Sequence, residues 1–347
     1  MQTVVAILNW NGLSWLQKFL PDVVLNSPEA SVAVIDNAST DDSVAWIKSH
    51  HPEVQVIHLD HNHGFAGGYN KGLEKIKAEN FVLLNSDVAV TQGWLGPMLR
   101  ALEKNDWDAL QPKILSFQQK DTFEYAGAAG GFIDRDGFIF CRGRMFNHFE
   151  KDQGQYNQAS EVFWASGAAL LIRAQSYRDA GGLDEDFFAH MEEIDLCWRL
   201  KNKGKRIGYC PDSVVYHVGG GTLSKINPRK TYLNFRNNLY LLVKNYRGGN
   251  LGVKLFRRMI LDGLAAFKFL FEGQFKHFFA VFRAHMSLYT NLAKFLKKRK
   301  SLAPGIEITQ HTGYYRRSVV WQYFLKGKKH FHQLHPVDFT TSGKENG

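Results

Sequence analysis

The sequence predicts an α/β protein. A mostly parallel sheet flanked by helices is expected over residues 1–228, with a helical, basic and aromatic extension over 229–330. Three observations carry that expectation. Short, β-branched apolar runs alternate with helical patterns through the first 115 residues, as βαβ units do when both faces of a sheet are covered. Each run is followed by polar residues, at the strand ends where such sheets bind ligands. The charge also divides: residues 1–228 hold 21 Lys+Arg against 28 Asp+Glu, whereas 229–330 hold 21 against 3.

The elements follow in order. Val4–Leu8, Val32–Ile35, Val54–Leu59 and Phe81–Leu84 read as strands, with helices over Leu13–Val24, Ser43–His50 and Gly68–Glu79 between them. Val162 to Arg173 reads as a turn feeding another buried strand. Glu192 to Lys203 has helical character and is stopped by Gly204, a suitable residue just past a helix end. Arg206–Cys210 and Ser213–His217 read as two more strands, leading into a Gly run from Gly219. The N-terminus lacks a basic region and a small-residue cleavage site, so it reads as a first strand rather than a signal peptide. The longest apolar run, Met259 to Phe271, is short and carries Asp262 and Lys268, so no bilayer-spanning helix is expected. Residues 331–347 read as a disordered tail.

At 347 residues, 44% apolar and 22% charged, the chain has material for a real core, which excludes a disordered or collagen-like protein. Three scattered cysteines exclude a disulfide framework or a cysteine zinc cluster and point to a reducing compartment. The turn after the first strand reads Asn9-Trp10-Asn11-Gly12, without the Gly-x-Gly-x-x-Gly a dinucleotide fold needs. The later strand ends carry Asp36-Asn37-Ala38-Ser39, the Gly-rich run from Asn62 to Asn70, and Asn85-Ser86-Asp87. Taken singly, Asp36 or Ser39 reads as a helix cap, the glycines as turn residues, and Asp87 as a solvated carboxylate. Polar loops at successive strand ends argue together for a ligand site. The carboxylates at Glu192, Glu193 and Asp195 would suit a helix N-terminus in any case, but a carboxylate there can also serve as a general base. His217, at a strand end, reads as a surface histidine or as a metal ligand.

In order, these segments resemble the inverting, nucleotide-sugar-dependent glycosyltransferases of family 2, with the GT-A fold, and within them the rhamnosyltransferase-like branch. The carrying residues are Asn9-Trp10-Asn11, Asp36 to Ser39, Asn62 to Asn70, Asn85-Ser86-Asp87, Gly181 to Phe188 and Glu192 to Arg199, with Arg236-Asn237-Asn238 beyond them. The match covers about residues 3–245. The resemblance implies that Asn9, Asn11, Asp36, Asn62, Gly64, Gly67, Asn70 and Ser86 surround the donor, with Asp36 on the nucleobase. It implies that Asp87 and His217 hold Mg²⁺ or Mn²⁺ on the donor diphosphate, and that Glu193 or Glu192 is the catalytic base. Trp164 and Asp195 would hold the acceptor sugar. Two departures stand out. The Asp-x-Asp motif of many relatives reads Asn85-Ser86-Asp87, and the acidic pair is Glu192-Glu193 where Glu-Asp or Asp-Asp is commoner.

The implied reaction moves a sugar from a nucleoside diphosphate, dTDP- or UDP-linked, to a glycan or polyprenyl-diphosphate-linked acceptor, with L-rhamnose as the sugar the branch suggests. The basic, Phe-rich segments of 229–330 read as amphipathic helices for an anionic membrane surface. The expected location is therefore cytoplasmic and peripheral, on the inner face of the cell membrane. A helical bundle with a solvated basic face is the competing reading of that region. No nucleic-acid motif accompanies the charge. The rivals to the enzyme reading are a sugar nucleotidyltransferase, which would want a basic Gly-rich loop after the first strand, and a catalytically inactive scaffold, which Asn85 favours.

Overall fold

A computed structural model describes residues 2–219, 227–302 and 304–341. The first half runs β1 (Thr3–Asn9), α1 (Leu13–Leu25), β2 (Ala30–Asp36), α2 (Ser43–His50), β3 (Gln55–His58), α3 (Gly64–Glu74), β4 (Asn80–Asn85), β5 (Val88–Val90), α4 (Leu95–Lys104) and β6 (Ala109–Ser116). Short strands β7 (Gly131–Asp134), β8 (Ile139–Cys141), β9 (Arg144–Met145), β10 (His148–Phe149) and β11 (Ser160–Glu161) follow. Then come β12 (Ala169–Arg173), α5 (Ala174–Asp179), α6 (Glu192–Asn202), β13 (Ile207–His217), α7 (Pro228–Asn245), α8 (Leu251–Phe271), α9 (Phe275–Ser301), β14 (Tyr314–Tyr315) and α10 (Val319–Phe324).

The main sheet has the order β11-β13-β6-β12-β4-β1-β2-β3, with β5 beside β13. Strands β4, β1, β2 and β3 run parallel, as the βαβ alternation requires. β12 enters antiparallel between β4 and β6, so the sheet is mixed. The two strands expected over 206–217 form one strand, β13, whose pairing with β6 shifts register between Cys210 and Val214. A second sheet, β10-β9-β8-β7-β14, lies over the cavity side of the fold and carries the β9–β10 hairpin.

The Gly-rich segment is a helix rather than a loop. α3 begins at Gly64 and ends at Glu74, displaced from the 68–79 expected. The reason is steric: a Cβ on Gly68 would lie 2.7 Å from Leu8, and one on Gly72 would lie 2.4 Å from Ile35. The glycines let the helix press on β1 and β2. Gly72→Ala is therefore expected to cost about 1–3 kcal/mol through overpacking, read as a lower melting temperature. An unchanged melting temperature would contradict this account of the segment.

The C-terminal helices pack on the sheet domain by one face. A continuous buried cluster joins Ile194 and Leu196 of α6 to Leu239, Leu242 and Val243 of α7 and to Leu288 and Phe295 of α9. Their other face is open. Val253, Phe256, Ile260, Leu264, Phe267 and Phe271 on α8, and Phe275, Phe279, Phe282, Met286 and Tyr289 on α9, are exposed. Steps of three and four place each set on one stripe of its helix. No helix among the described residues is long and apolar enough to cross a membrane.

Residues 331–341, expected to be disordered, are ordered. Phe331 and Phe339 pack on Phe132 with ring centroids 4.8 and 5.4 Å away. These two aromatic residues supply the burial that a polar tail would lack. Residues 342–347, and Gly220 and Gly221 of the Gly run, lie outside the described residues.

Candidate active site

A cavity of about 520 Å³ opens at the carboxyl ends of β4 and β13. Asp87, Trp164, Glu192, Glu193 and His217 all line it, although the sequence scatters them over 131 positions.

Asp87 sits in the turn between β4 and β5, and His217 ends β13, whose pairing with β5 brings the two together. Their side chains meet at 3.2 Å, Nε2 to Oδ1. Glu124 closes the other side of the imidazole at 3.3 Å from Nδ1. Burial alone would lower the His217 pKa, but the bonds to Asp87 and Glu124 and their charge push it up to about 10. An imidazole flanked by two carboxylates inside a cavity is an oxygen-and-nitrogen donor set of the kind Mg²⁺ or Mn²⁺ accepts. Glu124 would then orient the ring from behind, as second partners of metal-bound histidines do. No motif marks Glu124, which lies in an irregular stretch and reaches His217 only through the fold.

Glu192 and Glu193 open α6. Each has one carboxylate oxygen that is buried and without a hydrogen-bond partner. Burial raises both pKa values. For Glu192 the charge of Glu193 raises it further. For Glu193 the backbone N–H groups of Glu193, Ile194, Met191 and Gly167 oppose the burial. The segment before them is held in an unusual path: Phe188, His190 and Met191 have φ of 65°, 67° and 77°. For residues with side chains such angles are strained and need support. Asn237, fully buried on α7, supplies it: its Nδ2 lies 2.9, 2.9 and 2.6 Å from the carbonyls of Phe187, Ala189 and His190. Arg236 adds a bond of 2.8 Å to the Phe187 carbonyl. The Arg-Asn-Asn segment thus shapes the carboxylate end of the cavity from outside it.

Trp164 lines the cavity with its ring against Gly131, where a Cβ would come within 2.0 Å. Its indole N–H donates to the Phe132 carbonyl at 3.1 Å, so the ring offers the cavity an apolar surface. Asp195, expected to hold the acceptor, does not line the cavity. Two residues beyond Glu193 is 200° around a helix, so its carboxylate faces the opposite side. There it accepts from Arg199 at 2.8 Å, Lys244 at 2.8 Å and Asn245 at 2.7 Å. Asp184 joins this network through Lys244 at 2.6 Å and Lys298 at 2.5 Å.

The expected donor residues divide. Asn9, Asp36 and Asn11 build the loops rather than lining the cavity. The Asp36 carboxylate is fully buried and accepts from Asn9 at 3.3 Å, the Ser39 N–H at 3.3 Å and His58 at 2.8 Å. The Asn11 side chain accepts from the Thr40 N–H at 2.7 Å. These contacts make Asp36 a brace beneath the turns. Asn62 and Gly64 are clamped by Asn37, whose Nδ2 donates to both at 2.9 and 3.0 Å. Asn37 carries this role, although the sequence motif that contains it assigned it none. Gly67 faces His63 and Glu185 within α3. Asn70 is tied to Leu183 and Tyr177 by bonds of 2.7–2.9 Å, away from the cavity. Ser86 is half-buried beside Asp87. In place of these residues, the cavity wall holds their neighbours Trp10, Phe65 and Asn85.

Arg144, Arg229 and Lys230 also line the cavity. Arg144 and Lys230 lie over the Tyr125 ring, at 3.7 and 5.0 Å from its centroid.

A mixed α/β sheet thus brings a carboxylate–imidazole pair at its strand ends and two glutamates at the start of α6 around one cavity, an arrangement of the GT-A type. The chain belongs to glycosyl transferase family 2, whose sequence profile matches residues 4–179. It is similar to the low-salt glycan biosynthesis hexosyltransferase Agl10 of Haloferax volcanii, at 24% identity over 60% of this chain and 66% of that protein. It is also similar to the N-acetylglucosaminyl-diphospho-decaprenol L-rhamnosyltransferase of Mycobacterium tuberculosis, at 26% identity over 58% of this chain and 71% of the relative. The chain thus spans just under two thirds of the first relative's length. Its fold matches GalNAc-T7, solved with UDP, GalNAc and Mn²⁺, with a TM-score of 0.53 and 16% identity over 70% of this chain and 48% of that one.

Proposed function

We propose that the protein is an inverting glycosyltransferase moving a sugar, L-rhamnose first among the candidates, from a dTDP- or UDP-linked donor to a hydroxyl of a glycan or polyprenyl-diphosphate-linked glycan in cell-surface polysaccharide assembly. One observation carries the reading: the partly free carboxylate of Glu193 shares a cavity with the Asp87–His217 pair. Asp87 and His217 would hold Mg²⁺ or Mn²⁺, which neutralises charge growing on a diphosphate leaving group. The acceptor hydroxyl needs a base on the face opposite the leaving group. Glu193 is assigned that role. Its backbone N–H groups favour the ionised form, whereas burial and the charge of Glu193 raise the Glu192 pKa well above the usual carboxylate range. The names of the rhamnosyltransferase relative and the Mn²⁺-bound neighbour support the donor and acceptor classes.

The same reading places residues 1–228 as the catalytic unit and 229–330 as the part that meets an anionic membrane face. Exposed Arg257, Lys268, Lys276 and Arg283 accompany the open Phe stripes of α8 and α9. Each buried Phe would contribute about 1.5–3 kcal/mol, and each basic residue near the headgroups about 1 kcal/mol. The turn joining α8 and α9 lies at the cavity end of α7: His277 contacts Thr231 at 2.8 Å, beside Arg229 and Lys230 of the cavity wall. A lipid-linked acceptor would therefore present its sugar near the opening.

Two experiments test this. Incubation with a panel of nucleotide sugars and polyprenyl-diphosphate N-acetylglucosamine, followed by mass spectrometry and NMR, should give a product with inverted anomeric configuration. Retained configuration, or no transfer from any donor, would overturn the reaction. In a flotation assay the protein should rise with phosphatidylglycerol vesicles, and Phe267→Ser/Phe271→Ser/Phe279→Ser should stay at the bottom. Wild type remaining soluble with those vesicles would overturn the membrane reading alone.

A further inference from the structure

Away from the cavity, the β9–β10 hairpin and the C-terminal segment bring Glu150, His330 and His332 together. One ligand atom from each lies within 4.8 Å of the others. The pairing joins positions about 180 residues apart in sequence. Glu150 is buried, and its carboxylate is already oriented: Oε1 accepts from the Phe331 N–H at 3.1 Å and Oε2 from the Tyr156 hydroxyl at 2.9 Å. His330 Nδ1 approaches the same carboxylate at 4.0 Å.

A fourth group stands beside them. The His148 ring packs edge-on against His330, with centroids 4.4 Å apart, and its Nε2 is buried without a hydrogen-bond partner. An unsatisfied buried nitrogen is costly, and the ring contact with His330 places it beside the cluster.

The geometry points to a zinc site formed by Glu150, His330 and His332, with His148 at its edge, that fastens the C-terminal segment to the β9–β10 hairpin. Imidazole nitrogens with one carboxylate suit zinc better than magnesium or calcium, which prefer all-oxygen shells. Tetrahedral bonds of about 2.0–2.2 Å put ligand atoms roughly 3.4 Å apart, so the cluster needs only small inward side-chain shifts. The Glu150 contacts to Phe331 and Tyr156 are the outer-shell bonds that hold a ligating carboxylate in place. Arg144 on β9 reaches the catalytic cavity, so the clip would also steady one wall of it.

The test uses full-length, tag-free protein carrying Asp87→Asn and His217→Ala, which removes the metal ligands proposed for the cavity, and His61→Gln, which breaks the exposed Asp60–His61–His63 cluster. Calorimetry with zinc alone should show about one equivalent bound, and zinc should raise the melting temperature. Adding His332→Gln, a change at an exposed side chain, should weaken zinc binding roughly tenfold or more and abolish the thermal shift. His330→Gln should do the same. Absence of zinc binding to the Asp87→Asn/His217→Ala/His61→Gln protein, or affinity unchanged by both His332→Gln and His330→Gln, would overturn the site. Neither result would bear on sugar transfer.

Discussion

Glu193→Gln should lower turnover by about 10²–10⁴-fold, the contribution of a positioned general base, while leaving nucleotide affinity unchanged. Gln keeps the shape and removes the proton acceptor. Glu192→Gln should be far milder, because an amide resembles the protonated acid that burial and the charge of Glu193 favour there. Initial rates of sugar transfer for the two variants decide the assignment, and the reverse pattern would make Glu192 the base. The pH profile carries the same information. Burial raises the Glu193 pKa above the ordinary carboxylate value, so activity should fall as the pH drops through that raised value and level off above it. The acid limb should vanish in whatever activity Glu193→Gln retains.

Asp195→Ala should destabilise the protein by about 3–5 kcal/mol, the range for removing one partner of a buried ion pair. The substitution would leave Arg199 and Lys244, both nearly fully buried, without their shared counter-charge. Denaturant unfolding measures the loss directly. A stable Asp195→Ala variant with a raised acceptor KM would contradict this structural role and favour the acceptor one. Burial would raise the Asp195 pKa, but Arg199 and then Lys244 hold it below the usual value. Its depressed pKa therefore stabilises the fold at neutral pH, and that contribution is lost as the pH falls from the unfolded carboxylate range through the folded value.

The alternation of β1 to β4 with α1 to α3 was legible because parallel strands buried on both faces must be continuous apolar runs, and their crossovers must be helices. The antiparallel intruder β12 was not, since pairing direction leaves no local mark. The Gly-rich segment misled for a physical reason. Glycines that favour turns in solution here permit contact between a helix and Ile35. At the site, Asp87, His217, Trp164 and the two glutamates belong to an ordered set of motifs in the sequence, and the fold brings them to one cavity. Asp195, two residues on from Glu193, lies on another face of the helix and pairs with Arg199 and Lys244 instead of lining the cavity. Asn237 appeared only as part of a motif, and its purpose, bracing Phe188 to Met191, became visible only across the α6–α7 contact. The basic extension was read as amphipathic from its Phe and Lys spacing; the fold adds that one face is spent on α6 and α7 while the Phe stripes stay open.

The most direct measurement is calorimetric titration of UDP, dTDP and GDP, with and without Mn²⁺, into wild type, Asp87→Asn and His217→Ala. The account predicts that one nucleotide binds in a Mn²⁺-dependent manner and that either substitution weakens it by roughly tenfold or more. Binding of none of the three, or binding indifferent to both Mn²⁺ and the substitutions, would contradict the assignment of this cavity as a metal-assisted donor site.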